Sequence, residues 1–375
     1  MISLPSPEYF FDTWYVMPHL KLLPTNALTF DQLYTHYLEV GFIYPAKLER
    51  LADHLDLIRE NWTRGYAGAL ELLWTIAYHD ERFDKMGSVT CFRTTNHGWQ
   101  SQHLTSQNHA AGLFSLLLAA HGEGVFINCA AMQNWYSPTN AFAMKIYDRI
   151  PRVLGPRDST CRLLNYFWVN PLRFSPLSRQ FRVVRCRDNE RSLVRMMARR
   201  LRGDVYCRAE ELESDDIELD SLDRVYRRYG LRRRRFIWVA VDRVSGEPLG
   251  MIVAHRGPLG LSFSFLENRC DLLVDPDLAF EQKKEISSLL IARAAQAYFD
   301  SRALPAYPLA DLVVIAPEDI QQVLLDIGGV KTRQYYQGIW LNAGFEKWKK
   351  YMTRVFSPVI QRFERQSRAN EPVGI

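Results

Sequence analysis

The stretch Asn140-Ala141-Phe142-Ala143-Met144-Lys145-Ile146-Tyr147 decides how the first half of this chain is read. Asn140 is a helix N-cap residue type, since its side-chain oxygen can take an amide proton that a helix start leaves unpaired. Spacings of three and seven put Asn140, Ala143 and Tyr147 on one face of the helix, Asn140 to Ile150, that follows. By itself the pattern suits an ordinary capped helix with a core alanine and tyrosine.

Moving outward, hydrophobic period and turn residues predict helices at Phe30 to Glu39 and Ala46 to Thr63, a strand at Leu72 to Tyr78 and a turn at Asp80 to Gly87. Strands at Val89 to Thr94 and Trp99 to Leu104, a helix from Asn108 to Ala120 and a strand from Gly124 to Ala130 lead into the quoted helix; a strand at Leu163 to Val169 closes the half. The second half reads in the same order. A strand at Phe181 to Arg185 and helices at Asn189 to Arg202 and Leu219 to Tyr229 precede a hairpin of Arg235 to Val241 and Leu249 to Ala254. Then come a strand at Cys270 to Val274, a helix at Gln282 to Phe299, a strand at Leu312 to Ile315 and a helix at Pro317 to Ile327. Gln107 and Gln282, before the two long helices, lie 175 residues apart, and Asn140 and Pro317 lie 177 apart. Near-equal spacing of equivalent points reads as an internal repeat. The segment Pro171 to Pro176, closed by proline at both ends, reads as the linker. The expected division is 1–170, 177–344 and a C-terminal amphipathic segment, 345–375, in which Pro358 should kink or split any helix.

Composition agrees with a folded chain of two domains: 375 residues, 47% apolar and 24% charged, exclude a disordered chain, a collagen and a disulfide knot. Six cysteines fall singly, without CxxC pairs or histidines at zinc spacing, and read as reduced core thiols with no metal. The first residues lack a secretory pattern, and no apolar run reaches the ~20 residues of a membrane span. A cytoplasmic location is the expectation. Residues 1–170 carry 13 Lys/Arg against 15 Asp/Glu, so the other 34 and 27 make the second half the basic one. Runs such as Arg232 to Arg235 suit phosphates of a nucleotide or nucleic acid, or a solvated face paired with Glu210, Glu211, Glu213, Asp215 and Asp216.

Element order and local motifs together resemble the GNAT-type N-acyltransferases, in tandem, over nearly the whole chain before Gly344. Gln107-Asn108-His109-Ala110-Ala111-Gly112 is similar to the family's phosphate-binding turn, with Ala110 where the family prefers glycine. A helix start offers free amides to a pyrophosphate where side chains stay small. Asn140-x-x-Ala143-x-x-x-Tyr147 is similar to a second family motif, and Leu273-Val274-Asp275-Pro276 to its strand exit in the second half. The resemblance implies an α/β (α+β) fold: tandem domains, each a mixed, mostly antiparallel twisted sheet flanked by helices. It implies acetyl-CoA or another acyl-CoA as donor and a small-molecule or peptide amine as acceptor. Gln102, Leu104, Gln107 to Gly112, Asn140 and Ala143 would then bind the donor, with backbone N–H groups at Gln102 to Leu104 polarising the carbonyl. Tyr147 would protonate the leaving thiolate. The base candidates are His103, Glu123 and His97, of which His103 stands nearest the acyl position. Trp99, Trp135 and Tyr136 could wall an acceptor pocket. In the second half, Glu285, Ser287, Pro317, Ile320 and Leu324 replace the site residues, so that copy reads as degenerate. The alternative function is a non-catalytic tandem module that binds a phosphorylated ligand or nucleic acid through its arginines.

Overall fold

Two strands far apart in the sequence finish each other's half of one sheet. The computed structural model describes residues 20–81, 84–107, 110–174, 177–186, 190–299 and 304–369. Its first half runs β1 (Leu20–Leu22), α1 (Phe30–Glu39), α2 (Pro45–Ala52), α3 (Leu55–Ala67), β2 (Leu73–Asp80), β3 (Lys85–Arg93), β4 (Gly98–Ser106), α4 (Ala110–Phe126), β5 (Ala131–Tyr136), α5 (Ala141–Tyr147), α6 (Ile150–Leu154) and β6 (Ser159–Val169). The second half repeats the order: β7 (Phe181–Arg185), α7 (Arg191–Arg202), α8 (Asp204–Ala209), α9 (Asp220–Arg227), β8 (Arg234–Asp242), β9 (Pro248–Arg256), β10 (Arg269–Val274), α10 (Phe280–Phe299), β11 (Leu312–Ala316), α11 (Gln321–Asp326) and β12 (Val330–Leu341), followed by α12 (Phe345–Ala369). The sheet order is β1-β2-β3-β4-β5-β12-β6-β11-β10-β9-β8-β7. Every pairing is antiparallel except β4 with β5 and β10 with β11, one parallel pair at the same place in each half. The fold is the expected mixed α/β class with a mostly antiparallel sheet between helices.

β12 pairs with β5 from Tyr336↔Tyr136 to Leu341↔Ala131, while β6 pairs with β11 from Leu312↔Val169 to Ala316↔Asn165. β6 and β12 also pair with each other. Apolar side chains cover both faces. α1 and α3 share one layer with the 259–266 segment of the second half, α4 to α6 and α12 form a second, and α7 and α8 form a third. Trp62 Nε1 donates to Gly260 O at 2.7 Å and Asn61 Nδ2 to Leu259 O at 2.9 Å, which ties α3 to the second half. No described helix is long and apolar enough to cross a membrane.

Three local expectations are corrected. The strand expected at Gly124 to Ala130 is instead the end of α4 and a turn through left-handed Asn128, with β5 beginning at Ala131. At Gly124, inside α4, the absence of a side chain leaves room for the Met132 methyl. The helix expected at Ala46 to Thr63 is two helices, α2 and α3, broken after Ala52. Pro358 does not end α12; it lies on the exposed side, where the carbonyl it leaves unpaired can turn to water.

Gly112 of α4 and Gly87 of β3 both lie against the buried Tyr78 ring, and a Cβ at either would overlap it. Gly112→Ala is expected to cost about 1–3 kcal/mol by overpacking, read as a lower urea midpoint with an unchanged slope.

Candidate active site

β4 and β5 pair in parallel only from Gly98↔Ala131 to Ser101↔Asn134, although β4 continues to Ser106 and β5 to Tyr136. Beyond Ser101 the two strands part. On its other edge β4 carries a bulge: Thr90 pairs with Gln102 and Ser88 with Thr105, and His103 takes a left-handed φ of 52°. The strand irregularity therefore falls at Gln102 to Leu104. Gln102 sends its amide to the Leu261 carbonyl, whereas Leu104 packs with the opposite layer.

The bulge swings His103 into an aromatic box. Its ring lies parallel to Trp62 at 5.6 Å and meets Phe263 at 4.5 Å, Phe42 at 5.2 Å and Tyr37 at 5.4 Å. The Phe263 amide donates to His103 Nε2 at 3.2 Å, so the ring proton belongs on Nδ1, which has no partner among the described residues. Burial, with Lys47 nearby, holds its pKa well below the usual histidine value. As placed, the lone pair expected to take a substrate proton is engaged by the Phe263 amide. The other base candidates lie apart: His97 pairs with Glu211 at 3.2 Å at the far end of β4, and Glu123 sits on α4 with its pKa raised by burial.

Asn140 caps α5, its Oδ1 accepting from Ala143 N at 3.0 Å, and Ala143 and Tyr147 are buried behind it. The Tyr147 ring meets Tyr136 at 5.5 Å, Trp340 at 6.2 Å and Trp348 at 6.3 Å. Burial raises the pKa of its phenol; the Asn134 amide opposes this and Cys91 adds to it. Asn134, the last β5 residue paired with β4, had no signal in the sequence. Gly338 of β12 gives it room, since a Cβ there would approach Asn134 Oδ1 to 2.7 Å. Trp99 packs on Trp74 at 6.0 Å in this layer, while Trp135 turns to the other face under Arg269 at 5.3 Å.

The face between α4 and α5 is covered by α12. Phe356 stacks on Phe114 of α4 at 4.7 Å and meets Phe142 of α5 at 6.4 Å, with Trp348 and Met352 buried in the same layer. As docked, α12 occupies this face, so a donor lying along α4 and α5 would have to displace it. At the expected phosphate turn, Gln107 Oε1 accepts from Met86 N at 2.8 Å and Gly112 faces Tyr78. Asn108 and His109 lie outside the described residues; Ala110 and Ala111 open α4. In the second half α10 and α11 close directly on each other, bridged by Lys284 to Asp326 at 2.8 Å, and Ser287, Ile320 and Leu324 are buried.

The arginine runs are largely engaged. Arg227 and Arg232 hold Asp223, Arg234 holds Glu218 and Asp220, and Arg199 holds Glu213. Arg233 and Arg235 are buried and donate to the carbonyls of Thr94 and Ile217. Among the described residues one trio has metal-ligand types at close range, Glu210, His255 and Asp271. Arg269 already supplies positive charge to both carboxylates, at 2.6 and 3.0 Å.

No protein-family model matches the chain. No curated protein matches it either. Among solved structures it is similar to a candidate acetyltransferase from Pyrococcus horikoshii, 11% identical over 88% of this chain and 92% of that one, with a TM-score of 0.43. A tandem GNAT protein from the clavulanic acid biosynthesis pathway, solved without AcCoA, is 11% identical over 86% and 98%, with a TM-score of 0.41. A functionally unknown protein from Staphylococcus epidermidis is 12% identical over 68% and 91%, with a TM-score of 0.38. Likeness of this degree says nothing about chemistry.

Burial also lowers the pKa of His36 and His121 to about 4 and that of His255 well below the usual value. Below pH ~6.5 the unfolded chain takes up protons that these folded histidines and His103 refuse, so stability falls with acidification. The urea midpoint should therefore drop steadily from pH 7 to pH 5; a flat profile would contradict the buried neutral assignments.

Proposed function

We propose that this chain is an acyltransferase of the tandem type, with its transfer groove in the first lobe and acetyl-CoA or another acyl-CoA as donor to a small-molecule or peptide amine. One observation carries the reading: a parallel strand pair parts after Ser101 and Asn134, beside a bulged central strand and a buried phenol, Tyr147. The contrast between lobes supports it. A whole helix stands over the α4–α5 face, while α10 and α11 have closed on themselves. On this reading α12 leaves before a donor enters, residues 1–170 hold the site, and 177–344 support it. The donor would bring the activated thioester. Tyr147, kept protonated by its surroundings, would hold a proton near the departing sulfur. Free buried thiols suit a reducing, cytoplasmic setting.

Two observations favour a second reading, a non-catalytic module: docked α12 and the engaged lone pair of His103. Its proposed anchor, the run Arg232 to Arg235, has little free charge to offer a nucleic acid.

Calorimetry with a series of acyl-CoAs separates the two. Phe356→Ala should loosen the docked helix and tighten acyl-CoA binding relative to the unaltered chain. Tyr147→Phe should keep that binding and lower turnover about 10²–10⁴-fold. If neither the chain nor Phe356→Ala binds any acyl-CoA, the non-catalytic reading replaces this one.

A further inference from the structure

The C-terminal helix has two sides of opposite chemistry. α12 turns Phe345, Trp348, Tyr351, Met352 and Phe356 inward, all of them buried in the layer it shares with α4 to α6. On its outer side Lys347, Lys350, Arg354 and Arg365 are exposed. Their successive separations of three, four and eleven residues are close to whole helical turns, so the four fall in one stripe. At a rise of ~1.5 Å per residue the stripe is about 27 Å long. Arg362 stands exposed at its border.

Several exposed arginines elsewhere have acids of their own: Arg199 holds Glu213, Arg227 holds Asp223, Arg228 holds Glu71, and Arg59 holds Asp31 and Asp56. Among the described residues the four cations of the stripe have no carboxylate within ion-pair distance. Glu346, exposed at the side of the stripe, offsets only part of its charge. Like charges in a row on one helix repel each other, and a counter-charge laid along them removes that repulsion.

A surface groove of about 690 Å³ opens on the same helix, lined by Glu346, Lys349, Lys350, Thr353, Arg354 and Ser357 among others. Its lining sets three cations against one carboxylate. Such a groove suits a phosphate-bearing headgroup, which takes charge-assisted hydrogen bonds from lysine and arginine. What the stripe lacks decides between polyanions. Binding of single strands uses aromatic side chains as stacking platforms, and Trp348, Tyr351 and Phe356 of α12 are buried. A duplex winds its phosphates around its axis and away from a single row of charges. A flat anionic surface meets the whole row at once, and each cation held near it adds to the attraction.

We infer that α12, docked as it stands, is a landing face for an anionic lipid surface: Lys347, Lys350, Arg354 and Arg365 lie over the headgroups, and the groove beside Lys350 and Arg354 seats a headgroup phosphate. The contact is peripheral, with the apolar side of the helix kept in the protein. It is independent of the acyl-transfer reading and does not rest on it.

Sedimentation of the full chain with lipid vesicles tests it. At ~0.1 M salt the chain should bind phosphatidylcholine vesicles containing about 30% phosphatidylserine at least tenfold more tightly than pure phosphatidylcholine, and it should lose that preference at ~1 M salt, where charges are screened. Arg354→Glu should weaken binding to the anionic vesicles at least tenfold and leave the urea midpoint unchanged, because the side chain is exposed. Arg182→Glu makes the same change of charge at an exposed residue of β7, on the far edge of the sheet, and should weaken binding less than about threefold. Absence of binding to the anionic vesicles, equal binding to neutral ones, binding unchanged in Arg354→Glu, or tighter binding to a short DNA duplex would overturn the proposal.

Discussion

The exchange of β6 and β12 is the constraint on which the rest of the structure depends. A sheet edge left open presents unpaired amides and carbonyls. Here the edge of β5 is covered by the last strand of the second half, and that of β11 by the last strand of the first. Neither half therefore closes its own sheet. The exchange also brings the end of β12 to the first lobe, so the chain that follows it, α12, is delivered to the α4–α5 face.

The seam between the halves is polar as well as apolar. Gln337 of β12 donates to Gln133 of β5 at 2.9 Å, and Gln133 in turn donates to the buried Glu210 of the second half at 3.4 Å. Tyr226 donates to the Arg93 carbonyl at 2.7 Å across the same boundary. Interior groups of this kind add little net stability over apolar ones, but misalignment leaves each without its partner. They favour one register of the two halves.

Much of the plan was legible in the residues. Alternation and helical period located most strands and long helices in both halves, because those signals are local. Asn140 caps α5, as its side-chain chemistry suggests. The strand before Asn140 was misplaced because Gly124 and Val125 read as a strand start, whereas α4 runs on to Phe126 and β5 begins at Ala131.

At the candidate site the division is sharper. The sequence by itself determined residue types, their faces on each helix, and the repeat that makes a tandem sheet the natural solution. Only the tertiary structure decided that His103 has its lone pair engaged, that Asn134 and Gly338 meet beside Tyr147, and that α12 covers the α4–α5 face. It alone also brought Lys47 and Arg333 together from positions nearly three hundred residues apart. The physical reason is range: periodicity and capping act within a few residues, while strand exchange, burial and charge proximity arise from pairings between segments that carry no local mark of one another.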